Sequence, residues 1–286
     1  MLKQNLEPFL GCDCAYDPST IAIFGAPFDG TTSFRPGTRF GSKAMRAESF
    51  GIETYSPYQD RDLTDIKVFD AGDLDLPFGN PARVLDMIAE RTKQLLNDRK
   101  LPVMLGGEHL ITLGAIRSMI ERHPDLCILH FDAHTDLRDD YLGEKLSHAS
   151  VMRRAWELVG DGRIHQFGIR SGEREEFLFA KEHTLIHRYN VADVPEAIKS
   201  LNGKPVYVSI DLDVMDPSIF PGTGTPEAGG VSFTEMLNAV LSLSGLNIVG
   251  CDMVELSPAY DMSGVSTAVA CKLLRELLLI LGREEI

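Results

Sequence analysis

Three short segments, far apart in the chain, carry side chains that bind divalent metals. Gly106-Gly107-Glu108-His109 offers one imidazole. Asp132-Ala133-His134-Thr135-Asp136 offers two carboxylates and a second imidazole, and Ser209-Ile210-Asp211-Leu212-Asp213 offers two more carboxylates. The candidate metal ligands are therefore His109, Asp132, His134, Asp136, Asp211 and Asp213. Four carboxylates and two histidines exceed what one tetrahedral zinc uses. They suit two five- or six-coordinate ions sharing bridging carboxylates. Two dications against four carboxylates leave a near-neutral site, where a water between the ions loses its proton near neutral or mildly alkaline pH. Any one of these motifs alone has a bland explanation, a polar loop at a strand end. Three of them, each at the end of an apolar run, make that explanation insufficient.

Further positions cluster with this set. His148, in Ser147-His148-Ala149-Ser150, follows the loop after Asp136, where a strand-to-helix loop hangs over the metals; Ser147 also suits a helix cap. Glu255 ends an apolar run, where an unpaired carboxylate is costly unless it meets a cation. Thr225 lies in the tight loop Gly222-Thr223-Gly224-Thr225-Pro226-Glu227, mostly turn chemistry, whose hydroxyls can face a ligand. His130 has the parity of Asp132 and is either its partner or a satisfied core histidine.

The elements that position these residues follow from hydropathy. Ile21–Phe24, Lys67–Phe69, Val103–Leu105, Cys127–Phe131, Ile164–Phe167, Val206–Ile210 and Ile248–Val254 read as buried strands, with Thr184–His187 a weaker eighth. Helices fit between most of them. Asn80 caps and Pro81 opens one, with Val84, Ile88 and Leu95 on a single face. Leu110–Arg122, Ser147–Val159, Glu173–Glu182, Ser232–Leu243 and Ser266–Leu281 read as helices too. Alternation of this kind predicts an α/β fold, a parallel sheet with helices on both faces, and residues 1–286 read as one domain. Ligands then collect beyond the carboxyl ends of the strands, where each metal segment falls. Same-face residues of a strand lie roughly 6.6 Å apart, so a straight Asp132-x-His134-x-Asp136 would span roughly 13 Å. Metals in a two-metal site stand only about 3.5–4 Å apart. The strand must therefore stop near Asp132, with His134 and Asp136 curling back.

Composition narrows the partners. The formal charge of -14 argues against nucleic acid or an acidic membrane and is compatible with a cationic small molecule. No run of 18 apolar residues exists and the first residues lack a signal-peptide core, so no membrane span and a cytoplasmic location are expected. Five cysteines, an odd count without paired zinc spacing, fit a reducing compartment.

The set GGEH, HFDAHTD, SHAS, SIDLDVMDP, GTGTPE and VELSP, in this order, resembles the ureohydrolases, the family of arginase and agmatinase. The likeness runs from about Ile21 to the C-terminus. Ser33–Gly41 and Phe69-Asp70-Ala71-Gly72-Asp73 make it most similar to the bacterial agmatinases. The resemblance implies a three-layer αβα fold around an eight-stranded, mostly parallel sheet, and two Mn2+ ions per chain. It implies that His109, Asp132, Asp136 and Asp211 hold one ion and that His134, Asp132, Asp211 and Asp213 hold the other, with Asp132 and Asp211 bridging. By the same likeness His148 is the proton-handling histidine, and Glu255 pairs with the substrate guanidinium. The family hydrolyses a guanidino group to urea and an amine, and its members assemble as trimers or hexamers. Hydrolysis of agmatine to putrescine and urea, a step of polyamine biosynthesis, is the activity this implies.

Two departures from the arginase pattern bear on substrate. Arg138 stands where arginases carry an asparagine, and Ser171 where they carry an aspartate after a Gly-x-Arg segment. Both argue against arginine. Asp139, Asp140, Glu144 or Glu173 can face the ammonium end of agmatine, whereas Arg138 would favour a carboxylate, as in 4-guanidinobutyrate. Two other readings stay distinct. Zinc deacetylases of the same fold use one zinc and an adjacent histidine pair, and this chain has no His-His dipeptide. A non-catalytic guanidino sensor would lack a ligand, and the set here is full.

Overall fold

A computed structural model describes residues 2, 3 and 5–282. The apolar, β-branched runs form strands β1 Ile21–Ala26, β4 Val68–Asp73, β5 Leu101–Gly106, β6 Cys127–Phe131, β7 Ile164–Ile169, β8 Leu185–Arg188, β9 Val206–Asp211 and β10 Ile248–Val254. These make one eight-stranded sheet in the order β4-β1-β5-β10-β9-β6-β7-β8, and every neighbouring pair is parallel. A small antiparallel pair, β2 Tyr55–Ser56 and β3 Arg61–Asp62, stands apart from it. The helices are α1 Gly41–Glu48, α2 Pro81–Asn97, α3 Thr112–Arg122, α4 Val151–Val159, α5 Arg174–His183, α6 Val194–Ser200, α7 Phe233–Ser242 and α8 Val265–Leu281.

The three-layer expectation follows from how the strands alternate. Val206, Val208 and Ile210 of β9 pack into one core with Met45 of α1, Val194 of α6, Met236 of α7 and Leu274 of α8. Tyr207, between them, faces a second core with Ile88 of α2, Ile116 of α3, Met152 of α4 and Ala180 of α5. Period-two alternation of apolar side chains on both faces is what a sheet sandwiched between helices requires.

Register sets up the site. Met253 pairs with both Leu105 and Ile210, and Ile210 pairs with Phe131. Leu105, Met253, Ile210 and Phe131 thus form one row across β5, β10, β9 and β6. One residue beyond that row stand Gly106, Val254, Asp211 and Asp132.

Two expectations about helices are refined. The helix read from Ser147 begins as a 3-10 turn, His148–Ser150, before α4. His109–Ile111 forms a similar turn before α3. The helix α1, the helix α6 and the β2–β3 pair lie outside the sequence reading. In α1, GSKAMRAE buries Gly41, Ser42, Met45 and Arg46, so its inward face carries almost no apolar periodicity. The α6 segment has only seven residues.

Candidate metal centre

Each ligand segment leaves the sheet in its own way. After β5 the chain must pass close to the loop following β1. The Gly107 N–H donates to Ala26 O at 3.2 Å and the Glu108 N–H donates to Phe28 O at 2.7 Å. A Cβ on Gly107 would stand 2.0 Å from that Phe28 oxygen, so only glycine passes. His109 follows, its imidazole buried. After β6, Asp132 Oδ1 accepts the His134 N–H at 2.6 Å, and Asp136 adopts φ 53°, in the left-handed region. The segment therefore curls back, as the two-metal spacing demands. Asp211 closes β9, and its Oδ1 accepts the Asp213 N–H at 2.9 Å.

The side chains converge. His109 Nδ1 lies 3.1 Å from Asp132 Oδ2, 3.1 Å from Asp136 Oδ2 and 3.2 Å from Asp211 Oδ2. Despite these neighbours this buried nitrogen has no well-directed hydrogen bond. Ligand atoms set about 2.1 Å from an octahedral ion stand about 3 Å apart, so the spacing is that of a coordination shell. His134 Nδ1 lies 3.1 Å from Asp213 Oδ2 and 3.4 Å from Asp132 Oδ1. Asp132 thus turns one oxygen to each group, the arrangement of a bridging carboxylate. Asp211 contacts the His109 group directly and reaches Asp213 through its main chain.

Electrostatics favours cations here. Burial pushes Asp211 well above the ordinary carboxylate range, and the charges of Asp213 and Asp132 push it the same way. Burial also raises Asp136 to about 7, with Asp132 adding to the shift. Carboxylates crowded like this out of water are stable as anions only beside positive charge. Orphaned imidazole nitrogen, ligand-like spacing and a surplus of buried acids together fit a binuclear metal centre.

Supporting contacts fix the ligands from behind. Gln166 donates to His130 Nδ1 at 3.0 Å, so His130 Nε2 carries the proton and bonds Asp132 Oδ2 at 2.8 Å. His130 is therefore the partner of Asp132 rather than an isolated core residue. His109 Nε2 meets Ser209 Oγ at 3.0 Å, and Ser209 donates to Asp252 Oδ1 at 2.7 Å. Tyr207 holds the other Asp252 oxygen at 2.8 Å. Ser209, Asp252 and Gln166 lay outside the sequence reading. The one signal for Asp252 was an acid inside an otherwise apolar strand.

Above the cluster lies a cleft of about 300 Å³ lined by His109, His134, Asp136 and Asp211, and also by His148, Glu255 and Thr225. His148 is held by its N–H, which donates to Thr31 Oγ1 at 3.0 Å, and its Nε2 lies 3.2 Å from Ser33 Oγ. Burial pushes its imidazole down to about 4, and positive charge at His134, His109 and Arg138 acts the same way. Glu255 is buried with φ 65°, and its Oε1 accepts the His109 N–H at 2.8 Å. A non-glycine residue held there costs on the order of 1–3 kcal/mol, and such strain concentrates at functional sites. Burial raises its pKa well above the carboxylate range, with Glu108 adding to the rise. Thr225 Oγ1 lies 3.4 Å from Asp213 Oδ2.

The mouth of the cleft carries Arg138 and Glu173, 2.9 Å apart, with Glu176 Oε2 3.7 Å from the Arg138 Nε and the Tyr141 ring 4.9 Å from the guanidinium. Of the four acids expected to face a substrate ammonium, only Glu173 lines the cleft. Asp139 turns to Arg154 at 2.9 Å, and Asp140 accepts the Gly143 N–H.

Against known proteins, the sequence profile of the Arginase family matches residues 19–280. A protein named agmatinase from Bacillus subtilis is 48% identical over 275 residues, covering 95% of each chain. Guanidinobutyrase from Pseudomonas aeruginosa is 33% identical, covering 96% of this chain and 90% of the relative. The crystal structure of the agmatine ureohydrolase of Thermoplasma volcanium superposes with a TM-score of 0.88 at 34% identity, covering 96% and 94%.

Proposed function

From the premise that this chain belongs to the arginase family, we propose that it hydrolyses agmatine to putrescine and urea with two manganese ions. The observation that carries the reading is the placement of Glu255 beside the buried Asp/His cluster, on the floor of one cleft. His109, Asp132, Asp136 and Asp211 would hold one ion, and His134, Asp132, Asp211 and Asp213 the other. An oxygen-rich set of this kind suits manganese. When bound, the metal pair supplies Lewis acidity and a water that ionises readily.

The chain's own residues do the rest. Glu255, a buried carboxylate, becomes an anion when a guanidinium enters and holds the planar cation by charge-assisted hydrogen bonds. His148 is uncharged at neutral pH in the free site, so it is ready to take a proton before it gives one. It accepts a proton released as the guanidinium carbon is attacked and returns it to the departing amine. Thr225 stands between the cluster and the cleft and would touch the substrate there. The two hydrogen-bond chains behind His109 and Asp132 fix those ligands.

Substrate choice is read at the mouth. Agmatine carries a second cation and no carboxylate. Arg138 pairs with Glu173 and lies 3.7 Å from Glu176, so that wall sets two acids against one cation. L-arginine would need partners for an α-carboxylate and an α-amino group, and Ser171 supplies neither charge. A second reading has its own support, because Arg138 lines the cleft and would pair with a guanidino acid such as 4-guanidinobutyrate. Urea release from manganese-loaded protein supplied with agmatine, L-arginine or 4-guanidinobutyrate separates the cases. The expected outcome is kcat/KM highest for agmatine. Preference for 4-guanidinobutyrate would replace the substrate but keep the reaction, and no urea from any of the three would overturn the reading.

A homo-oligomer, trimer or hexamer, and a cytoplasmic location belong to the same proposal. Among the described residues no helix is long and apolar enough to cross a membrane. The five cysteines are all free, as a reducing compartment would leave them.

A further inference from the structure

The loop after β1 reaches the catalytic cleft through a hydrogen-bond chain that starts at Glu108, a buried acid next to the candidate ligand His109 whose oxygens bond that loop. Glu108 Oε2 accepts the Thr31 N–H at 2.8 Å, and Glu108 Oε1 accepts the Thr31 hydroxyl at 2.6 Å. Thr32 Oγ1 adds a third donor at 3.2 Å. Thr31 is thus anchored on Glu108 through both its main chain and its hydroxyl. The same hydroxyl accepts the His148 main-chain N–H at 3.0 Å and stands 3.5 Å from the imidazole Nδ1.

We propose that Thr31 is a positioning residue for His148: anchored on Glu108 through both its main-chain N–H and its hydroxyl, it accepts the His148 main-chain N–H and fixes the ring's placement in the cleft. The ring so placed carries its Nε2 3.2 Å from the exposed Ser33 hydroxyl. The Glu108 main chain ties this device to the metal loop, since its N–H bonds Phe28 O three residues before Thr31. The inference rests on His148 handling a proton, as set out above.

Thr31→Val removes the hydroxyl, while the main-chain N–H that Glu108 also holds is unchanged. Thr31→Ser keeps the hydroxyl and drops the methyl. A well-placed general acid–base group contributes about 10²–10⁴-fold, so losing its placement is expected to lower kcat by at least about 10-fold in Thr31→Val. KM and bound manganese should stay within about 2-fold, and Thr31→Ser should recover most of kcat. Because Thr31 acts through His148, adding Thr31→Val to His148→Ala should cost nothing further. Thr31→Val with full kcat, where His148→Ala is impaired, overturns the inference alone. So does an equal loss from Thr31→Val in both backgrounds, or a Thr31→Ser protein as slow as Thr31→Val. Full turnover in His148→Ala would overturn the role of His148 itself and this inference with it.

Discussion

At the scale of single residues, the cleft separates groups that hold metal from groups that handle substrate. Among the described residues His148 makes no hydrogen bond or ion pair to the six candidate ligands; its partners are Thr31, Ser33 and the Tyr141 ring. Metal content and turnover should therefore part company in His148→Ala. Manganese measured on the purified protein is expected to match the unaltered chain, while kcat falls about 10²–10⁴-fold. Loss of the metal along with activity would make His148 a ligand or a structural residue. Glu255→Gln should likewise keep its metal. It removes the charge that meets the guanidinium, so kcat/KM should fall, and an unchanged value would take Glu255 out of the site. The six ligand candidates could be read from the sequence because each lies at a strand end or within five residues past it, in segments unusually dense in acids and histidines. Thr31, Gln166 and Ser209 could not be. Their types are common on any surface, and only the folded chain shows that they face Glu108, His130 and His109.

At the scale of elements, four adjacent strand ends build the floor: β5 gives His109, β10 gives Glu255, β9 gives Asp211 and Asp213, and β6 gives Asp132, His134 and Asp136. The strands themselves were legible, because buried parallel strands are nearly continuous apolar runs. Their order was not. The chain places β10 between β5 and β9, and nothing local in Ile248–Val254 says which neighbours it will find. Nor was the role of Gly107 as a spacer visible, since glycine in a turn has an ordinary explanation. The close approach now makes a sharp expectation. Gly107→Ala puts a carbon 2.0 Å from Phe28 O and 2.7 Å from Phe28 N, both main-chain atoms that cannot swing aside. Overpacking of this kind costs about 1–3 kcal/mol. Calorimetry should show a melting temperature lower by several degrees, about 2–4 °C per kcal/mol in a chain this large, together with weaker manganese binding. Gly51→Ala is the control, because nothing lies within 4 Å of its added carbon and the melting point should hold. Equal melting of both variants would show that the β1–β5 junction does not set the ligand loop.

At the scale of the whole molecule, the metal centre is a concentrated fault in an otherwise ordinary α/β core, and metal must mend it. The centre sits at the end of the sheet between the two apolar cores, so its acids are buried except where the cleft opens above them. Without metal, burial and then Asp132 push Asp136 up to about 7, and Asp211 is pushed well above its usual range as well. An unfolded aspartate titrates near 3.8. Between those values the folded chain binds more protons than the unfolded one, so the stability these groups allow is present at low pH and is lost as pH rises toward about 7. Asp132 shifts the other way, lowered against the cost of burial by the imidazoles of His109, His130 and His134 close around it, but its effect falls below its ordinary value and leaves the window between untouched. Metal binding displaces those protons and adds its own free energy to folding. Metal-free protein should therefore melt progressively lower as pH is raised from about 4 to 7. Manganese should restore little at the acid end and most near neutrality. The quantity to follow is the difference in melting temperature between loaded and chelated samples across that range, since groups elsewhere in the molecule contribute equally to both. A difference that widens with pH is what a buried, self-repelling acid cluster predicts. A flat difference would mean that the acids are not driven together in the folded chain and that the cluster forms only when metal gathers it.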